Sequence, residues 1–110
     1  MNALSDDIDS FLDKCRILID KRQVDLFLND PDNRQTMDLI QYSPRALMQE
    51  LKELKPEDLH EGPVKDDNPL HEGYVWIFKK SICNRLLYIK IKIRIRNKEE
   101  VFLMSFHPDR

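Results

Sequence analysis

The sequence predicts an α+β fold in which N-terminal helices pack on a small antiparallel β-sheet. Apolar residues recur at helical spacing through the first half of the chain, whereas the second half alternates apolar and polar residues. Helices followed by consecutive strands are typical of α+β domains, because a βαβ pattern would interleave the two. A length of 110 residues suffices for one modest core, so residues 1–110 are expected to form a single domain.

The first helix is indicated by an apolar stripe that continues to about Lys21. The members of this stripe lie on one helix face: Ile8, Phe11, Leu12, Cys15, Leu18 and Ile19. Val24 to Leu28 is a short apolar run that predicts a strand. Asp30-Pro31-Asp32-Asn33 has the composition of a turn, and Gln35 to Ile40 predicts two helical turns.

Ser43-Pro44 predicts the start of a further helix, since serine caps helices and proline is favoured at the first helical position. Lys55-Pro56 ends it. Residues Glu61 to Pro69 are predicted to be a loop, because Gly-Pro and Asn-Pro pairs interrupt regular structure. Three strands are then expected, at Gly73 to Lys79, Arg85 to Arg96 and Val101 to Phe106.

The segment from Leu87 to Arg96 is the clearest strand signal. Its odd positions are all apolar, and its even positions carry Tyr88 and then four cations, the cationic ladder: Lys90, Lys92, Arg94 and Arg96. Strict alternation predicts one buried face and one exposed face. Like charges on one face repel each other unless a partner neutralises them, and RNA is such a partner.

Charge is unevenly distributed, although the net charge is only −2. Residues 1–78 carry a balance of −8, residues 79–96 carry seven bases and no acid, and the tail from Asn97 returns to −1. A concentrated basic surface suits binding of a polyanion. We therefore predict that Lys79, Arg85, Arg94 and Arg96 bind RNA. The alternative is that these cations only solvate an exposed sheet face or discourage edge pairing.

The last two strands also predict which side chains meet. The isoleucines at positions 91, 93 and 95 should share a face with Phe102, Met104 and Phe106 of the next strand, or one apolar set would be left in water. A tight connection at residues 97–100 then pairs Arg96 with Val101, Arg94 with Leu103, Lys92 with Ser105, and Lys90 with His107. Tyr88, Lys90, Lys92, Ser105 and His107 are thus expected on one exposed face.

This cluster has the chemistry of a ribonuclease that needs no metal or other cofactor. In such enzymes the RNA 2′-hydroxyl is the nucleophile, a base removes its proton, cations stabilise the transition state, and an acid protonates the leaving 5′-oxygen. The predicted catalytic residues are Tyr88, Lys90, Lys92 and His107. His107 would transfer the proton, the lysines would stabilise phosphate charge, and Tyr88 would orient the nucleotide.

Other interpretations of the same residues stay open. A histidine near a chain end is commonly only a polar surface residue, and His60 and His71 are a weak metal signal. Trp76 is expected in the core rather than as a stacking platform. A non-catalytic RNA-binding module and an interaction protein that docks an acidic partner are both compatible with the basic face.

Several segments, in order and spacing, resemble the MqsR family of toxins from bacterial type II toxin–antitoxin systems. They are Leu-Lys-Glu-Leu, then Lys-Pro-Glu-Asp-Leu-His-Glu-Gly-Pro, Tyr-Val-Trp-Ile-Phe, Leu-Tyr-Ile-Lys-Ile, and a terminal Met-Ser-Phe-His-Pro. The resemblance covers roughly Val24 to Pro108. It implies a RelE-like fold, a single toxin domain, sequence-selective cleavage of messenger RNA, and a cognate antitoxin as partner.

By position, the resemblance assigns the family's strand tyrosine to Tyr88 and the following lysine to Lys90. The polar residue after Ser-Phe, a lysine in the best-known member, falls on His107. The family's Tyr-Lys pair falls on His60, an RNA-binding candidate, and on Glu61, and its glutamine after the tryptophan falls on Ile77. Glu61 replaces a cation and Ile77 cannot hydrogen-bond, so base specificity is expected to differ.

A cytoplasmic location is expected. The N-terminus is acidic where a signal peptide is basic, and no apolar run is long enough to span a bilayer. Cys15 and Cys83 fit no metal-binding spacing, and Cys15 lies on the apolar stripe of the first helix. We therefore expect Cys15 to be a small core residue rather than half of a disulfide.

Overall fold

The computed structural model describes residues 3–68, 71 and 73–109, without the side chains of residues 3–6. The helices and strands alternate only in the N-terminal part of the chain. They are α1 (Ala3–Asp20), β1 (Val24–Asp25), α2 (Pro31–Ile40), α3 (Pro44–Lys52), a 3₁₀ turn (Pro56–Asp58), β2 (Leu59–Lys65), β3 (Tyr74–Ile82), β4 (Arg85–Arg96) and β5 (Lys98–Pro108). The α+β class is therefore confirmed. None of the helices in the described ranges is long and apolar enough to cross a membrane.

The strands form one sheet in the order β1-β5-β4-β3-β2. Strands β2 to β5 make an antiparallel meander, and β1 pairs in parallel with β5, with Val24 opposite Val101. The expectation of a purely antiparallel sheet was wrong on this point. The chain between β1 and β5 passes through every element except α1, and such a long connection makes a parallel pairing possible.

Strand β2 occupies a segment that was predicted to be a loop. The backbone of Gly62 has φ 127°, and a Cβ atom there would lie 2.9 Å from the carbonyl oxygen of Val75. The register with β3 shifts twice nearby, between Leu59 and Glu61 and between Glu61 and Val64. Glycine and proline therefore mark an irregular edge strand here rather than a loop. Pro69, where the predicted loop ends, lies outside the described residues.

The helices cover one face of the sheet and build the core against it. Cys15 is 1% exposed and does not form a disulfide, as predicted. Trp76 is also in the core, where its ring stacks on Phe11 with centroids 4.4 Å apart. The odd-numbered residues of β4 from Leu87 to Ile91 point into this core. The opposite side of the sheet, the open face, carries Tyr88 and Lys90.

The pairing of β4 with β5 differs from the predicted register. Arg96 lies opposite Lys98 and Arg94 opposite Glu100, around a turn at Asn97, whose φ is 71°. The register then shifts at a β-bulge in which Met104 is the extra residue, so that Lys90 faces Ser105. The predicted pairings of Arg96 with Val101, Arg94 with Leu103, Lys92 with Ser105 and Lys90 with His107 were therefore wrong. The turn is tighter than predicted, and the bulge was not foreseen. Phe102 consequently lies opposite Lys92, so its expected place on the face of the isoleucines was also wrong.

Asn33 of α2 is completely buried and binds the β5 backbone on both sides of the bulge. Its amide nitrogen donates to the carbonyl oxygens of Leu26 and Leu103, at 3.2 and 3.3 Å. Its amide oxygen accepts from the Phe106 N–H at 2.8 Å. The side chain thus acts in place of a neighbouring strand where β5 continues beyond the short β1. The predicted turn at Asn33 is instead the first turn of α2.

Candidate functional site

Two rows of opposed residues cross the open face between β3 and β5. One row is Lys79, Tyr88 and His107, and the other is Ile77, Lys90 and Ser105. The structure therefore brings Tyr88, Lys90, Ser105 and His107 together on one face, as expected. His107 faces Tyr88 directly, and Lys90 is its diagonal neighbour rather than its direct partner. We call Tyr88, Lys90 and His107 the central cluster.

The rings of Tyr88 and His107 lie flat against each other. Their centroids are 4.7 Å apart and their planes differ by 8°. The Nδ1 atom of His107 lies 2.9 Å from the carbonyl oxygen of Pro108. Because a carbonyl oxygen only accepts, Nδ1 carries the hydrogen, and in the neutral ring Nε2 keeps its lone pair. The stack and this hydrogen bond fix both the ring orientation and the tautomer.

Tyr88 is held in its protonated form. Burial raises the pKa of the Tyr88 hydroxyl, and the negative charges of Glu61, Asp67 and Asp109 raise it further. Tyrosine already has a pKa near 10, so a raised pKa keeps the hydroxyl neutral at any physiological pH. Tyr88 can therefore donate a hydrogen bond to a phosphate oxygen, but it is a poor proton donor for catalysis.

Lys92 lies on the same face but does not reach the surface. It is 4% exposed, and its ammonium nitrogen is 2.8 Å from a carboxylate oxygen of Asp66. The side chain of Asp66 is also only 4% exposed. Hydrogen bonds from Lys92 and from the Asn68 N–H hold the pKa of Asp66 below its usual value of 3.8. The geometry therefore gives Lys92 the role of attaching the β2–β3 connection to the sheet.

The two arginines of the cationic ladder are neutralised within the molecule. The guanidinium of Arg94 binds Asp25 at 2.7 Å and Glu100 at 2.9 Å, and it lies over the ring of Phe102 at 3.6 Å. Arg96 is 3.4 Å from Glu100 and is mostly exposed. Intramolecular acids therefore supply much of the neutralisation that the sequence pattern led us to expect from RNA.

Lys90 is the exception in the cationic ladder. Within residues 3–68, 71 and 73–109 it has no ion-pair partner, in contrast to Lys92, Arg94 and Arg96. Its side chain is half-buried between Ile77 and Ser105 and stands next to Tyr88 along β4. An unpaired ammonium beside the Tyr88–His107 stack is the best-placed group in the central cluster for contact with an anion.

The remaining predicted RNA-binding residues are dispersed. Lys79 is opposite Tyr88 and makes an ion pair with Asp109 at 3.3 Å. Arg85 has the parity of Leu87, which places it on the helix side of the sheet, away from Tyr88. His60 is exposed on the irregular edge strand β2. Only Lys79 of these three borders the central cluster.

Sequence reasoning missed the acids around the site. Glu61 lies opposite Ile77, which in turn lies opposite Lys90, so the two departures from the resembling family share one row with Lys90. Asp66 and Asp109 pair with lysines that are distant in sequence. Two pairs of acids that flank the basic strands, Asp66-Asp67 and Glu99-Glu100, were local signals that could have indicated internal neutralisation.

Comparison of the chain with family models, with curated protein sequences and with solved structures found no match. Among the described residues, no group of three or more histidine, cysteine, aspartate or glutamate side chains is arranged to hold a metal ion.

Proposed function

We propose that this protein is a metal-independent endoribonuclease that cleaves messenger RNA through the 2′-hydroxyl and thereby blocks translation. The observation that carries this proposal is the stack of His107 on Tyr88 next to Lys90, which has no ion-pair partner among the residues that the structure describes. An imidazole of defined tautomer, a hydroxyl donor and an ammonium on one open surface provide the groups that this reaction needs.

In the proposed reaction, Nε2 of His107 accepts the proton of the 2′-hydroxyl. The 2′-oxygen then forms a bond to phosphorus, the bond from phosphorus to the 5′-oxygen breaks, and the leaving oxygen takes a proton from water at this open site. The hydroxide that remains takes the proton back from the His107 imidazolium, which restores the base. The product carries a 2′,3′-cyclic phosphate and the other fragment a 5′-hydroxyl. Because Nδ1 is occupied by the bond to the Pro108 carbonyl, Nε2 is the ring nitrogen that can accept the proton.

Lys90 and Tyr88 would stabilise the charge that develops on the phosphate oxygens. The ammonium of Lys90 contributes full positive charge, and the neutral Tyr88 hydroxyl donates a hydrogen bond. Lys92 is left out of this proposed catalytic group, because it is buried against Asp66. Arg94 and Arg96 are paired with acids, so their share in binding phosphate is expected to be small.

The resemblance to the MqsR family supports the same proposal. It adds a RelE-like fold, a toxin domain over residues 1–110 and a cognate antitoxin that neutralises the activity. Helices on one face of an antiparallel meander, with the candidate residues on the open face, are compatible with that fold. The antitoxin and the messenger RNA are the proposed partners, and the cytoplasm is the proposed location.

A non-catalytic RNA-binding module is the second candidate. It is favoured by the raised pKa of the Tyr88 hydroxyl, because a weaker acid is a poor proton donor for the leaving 5′-oxygen. The two candidates differ in the RNA ends they produce. Incubation of end-labelled single-stranded RNA with the purified protein in EDTA should give 2′,3′-cyclic phosphate and 5′-hydroxyl ends. Binding without new ends would favour the module, and cleavage only with added metal would contradict the proposed mechanism.

A further inference from the structure

The open face continues past the central cluster into a groove with a volume of about 550 Å³, within the usual range for small-molecule sites. It lies between the β2–β3 connection and the strands β4 and β5. The side chains that define it are Asp66, His71, Lys92, Arg94, Phe102 and Met104. Lys92 follows Lys90 at the next position on the same face of β4, so the groove begins next to the central cluster.

The lining of the groove combines apolar and polar side chains. Phe102 and Met104 provide apolar surface, and the buried Lys92–Asp66 pair provides polar atoms. The guanidinium of Arg94 lies over the Phe102 ring and is held there by Asp25 and Glu100. Because two acids already occupy this guanidinium, it offers a fixed flat surface more than a free charge. Nucleobases stack on aromatic rings and on guanidinium planes.

We infer that this groove is a nucleobase subsite, in which a base next to the cleaved phosphodiester of single-stranded RNA packs against Phe102, Arg94 and Met104. The inference rests on the proposed function and deepens it, because it assigns the recognition of a neighbouring nucleotide to residues distinct from the central cluster. If a phosphate of the RNA strand contacts Lys90, a neighbouring nucleotide that follows β4 enters this groove. Arg94 then contributes to RNA binding through its flat face rather than through a phosphate contact.

The methionines provide an internal probe. Met104 lines the proposed subsite, Met48 lines a second groove on the other side of Arg94 and Phe102, and Met37 is buried. The full chain carrying His107→Ala would be labelled with ¹³C at the methionine methyl groups. It would then be titrated with four single-stranded RNA homotetramers, of A, C, G or U, and separately with inorganic pyrophosphate. Binding of each homotetramer would also be measured by calorimetry.

We expect at least one homotetramer to shift the Met104 methyl resonance in a saturable way while Met48 and Met37 stay unchanged. Pyrophosphate, which has charge but no base, should leave Met104 unmoved. Met104→Gln should weaken the tetramer that binds best by roughly tenfold, the scale of one lost base stack. Met48→Gln is the matched control and should leave its affinity unchanged.

If a homotetramer binds but shifts only Met48, or shifts no methionine, the subsite is wrong and the proposed function stands. If Met104 shifts with pyrophosphate to the same extent, the groove binds phosphate and not a base, which also overturns the inference. If none of the four homotetramers binds, both the subsite and the proposed function fail. If the wild-type chain does not cleave RNA but Met104 shows a base-dependent shift, the subsite stands and the catalytic proposal is rejected.

Discussion

The ammonium of Lys92 and the carboxylate of Asp66 form a 2.8 Å ion pair that is almost completely removed from solvent. The pair joins the connection between β2 and β3 to the middle of β4, and it takes one cation out of the ladder. Lys92 therefore stabilises the fold, whereas Lys90 stays available to bind a ligand. The consequences for stability and for RNA binding can be tested independently.

Replacement of Lys92 by methionine should lower the free energy of unfolding at pH 7 by about 2 kcal/mol, because the Asp66 carboxylate would stay buried without its cation. Chemical denaturation followed by circular dichroism would measure this. The double variant with Asp66→Asn should regain part of the loss, since it removes the unpaired charge. A single variant as stable as the wild type would contradict the structural role of the pair.

The same pair predicts how stability depends on pH. The pKa of Asp66 is lowered by folding, so its contribution is complete above the unfolded value of about 3.8 and is lost as the pH falls through the lower folded value. Asp66→Asn should therefore lose less stability than the wild type between about pH 4 and pH 2. The free energy of unfolding of both chains would be measured across that pH range. Parallel curves of free energy against pH would show that protonation of Asp66 is not linked to stability.

His107→Ala should reduce the cleavage rate by about a hundred- to ten-thousand-fold, the usual contribution of one positioned base. Folding and RNA affinity should be largely unchanged, because the side chain is half-buried at the end of β5. The rate would be measured on single-stranded RNA in single-turnover conditions. His60→Ala, on the exposed edge strand, is the control. If the His107 variant cleaves at the normal rate, His107 is not the base, and His60 is the next histidine to test.

Tyr88→Phe keeps the ring that stacks on His107 and removes only the hydroxyl. We expect a fall in kcat of about ten- to a hundredfold, with KM little changed, because the lost hydrogen bond acts on charge that develops in the transition state. Tyr42→Phe is the matched control. That hydroxyl donates to Glu50 at 3.0 Å, and burial together with Glu50 raises the pKa of Tyr42 to about 12. Equal effects of both substitutions would indicate a structural role for Tyr88.

Lys90→Gln should weaken RNA binding and flatten its dependence on salt, since one phosphate contact on a single strand changes the slope of log affinity against log salt by about 0.7. Lys80→Gln serves as the control, because Lys80 makes an ion pair with Glu50 on the helix side of the sheet. Fluorescence anisotropy at several salt concentrations would measure both variants. An unchanged slope in the Lys90 variant would place the phosphate contact elsewhere.

The parts of the fold that could be predicted from the sequence are those determined by local periodicity. The apolar stripe around Leu12 predicted α1, and Ser43 predicted the cap of α3. The alternation from Leu87 predicted that Tyr88 and Lys90 lie on the open face. Each of these depends on neighbours within about one turn or one strand. For the same reason the assignment of Cys15 to the core was confirmed.

The parts that could not be predicted depend on contacts between distant segments. The bulge in β5 is stabilised by Asn33, whose hydrogen bonds reach Leu103 and Phe106 about 70 positions away. Charge neutralisation by Asp25 and Asp66 likewise comes from other elements. A parity argument applied to β4 and β5 alone assumed a regular ladder, whereas the turn at Asn97 is tighter than predicted and Met104 shifts the register between Lys90 and Ile91.

The bulge at Met104 divides the β4–β5 hairpin into two segments, each with its own strand register. The part next to the central cluster is fixed by Asn33, whereas the part beyond it ends in the turn at Asn97. Residues gained or lost at that turn during evolution would re-register only the outer part, because the inner part has its own anchor. The tip of the hairpin is thus free to change length and shape without moving His107 away from Tyr88.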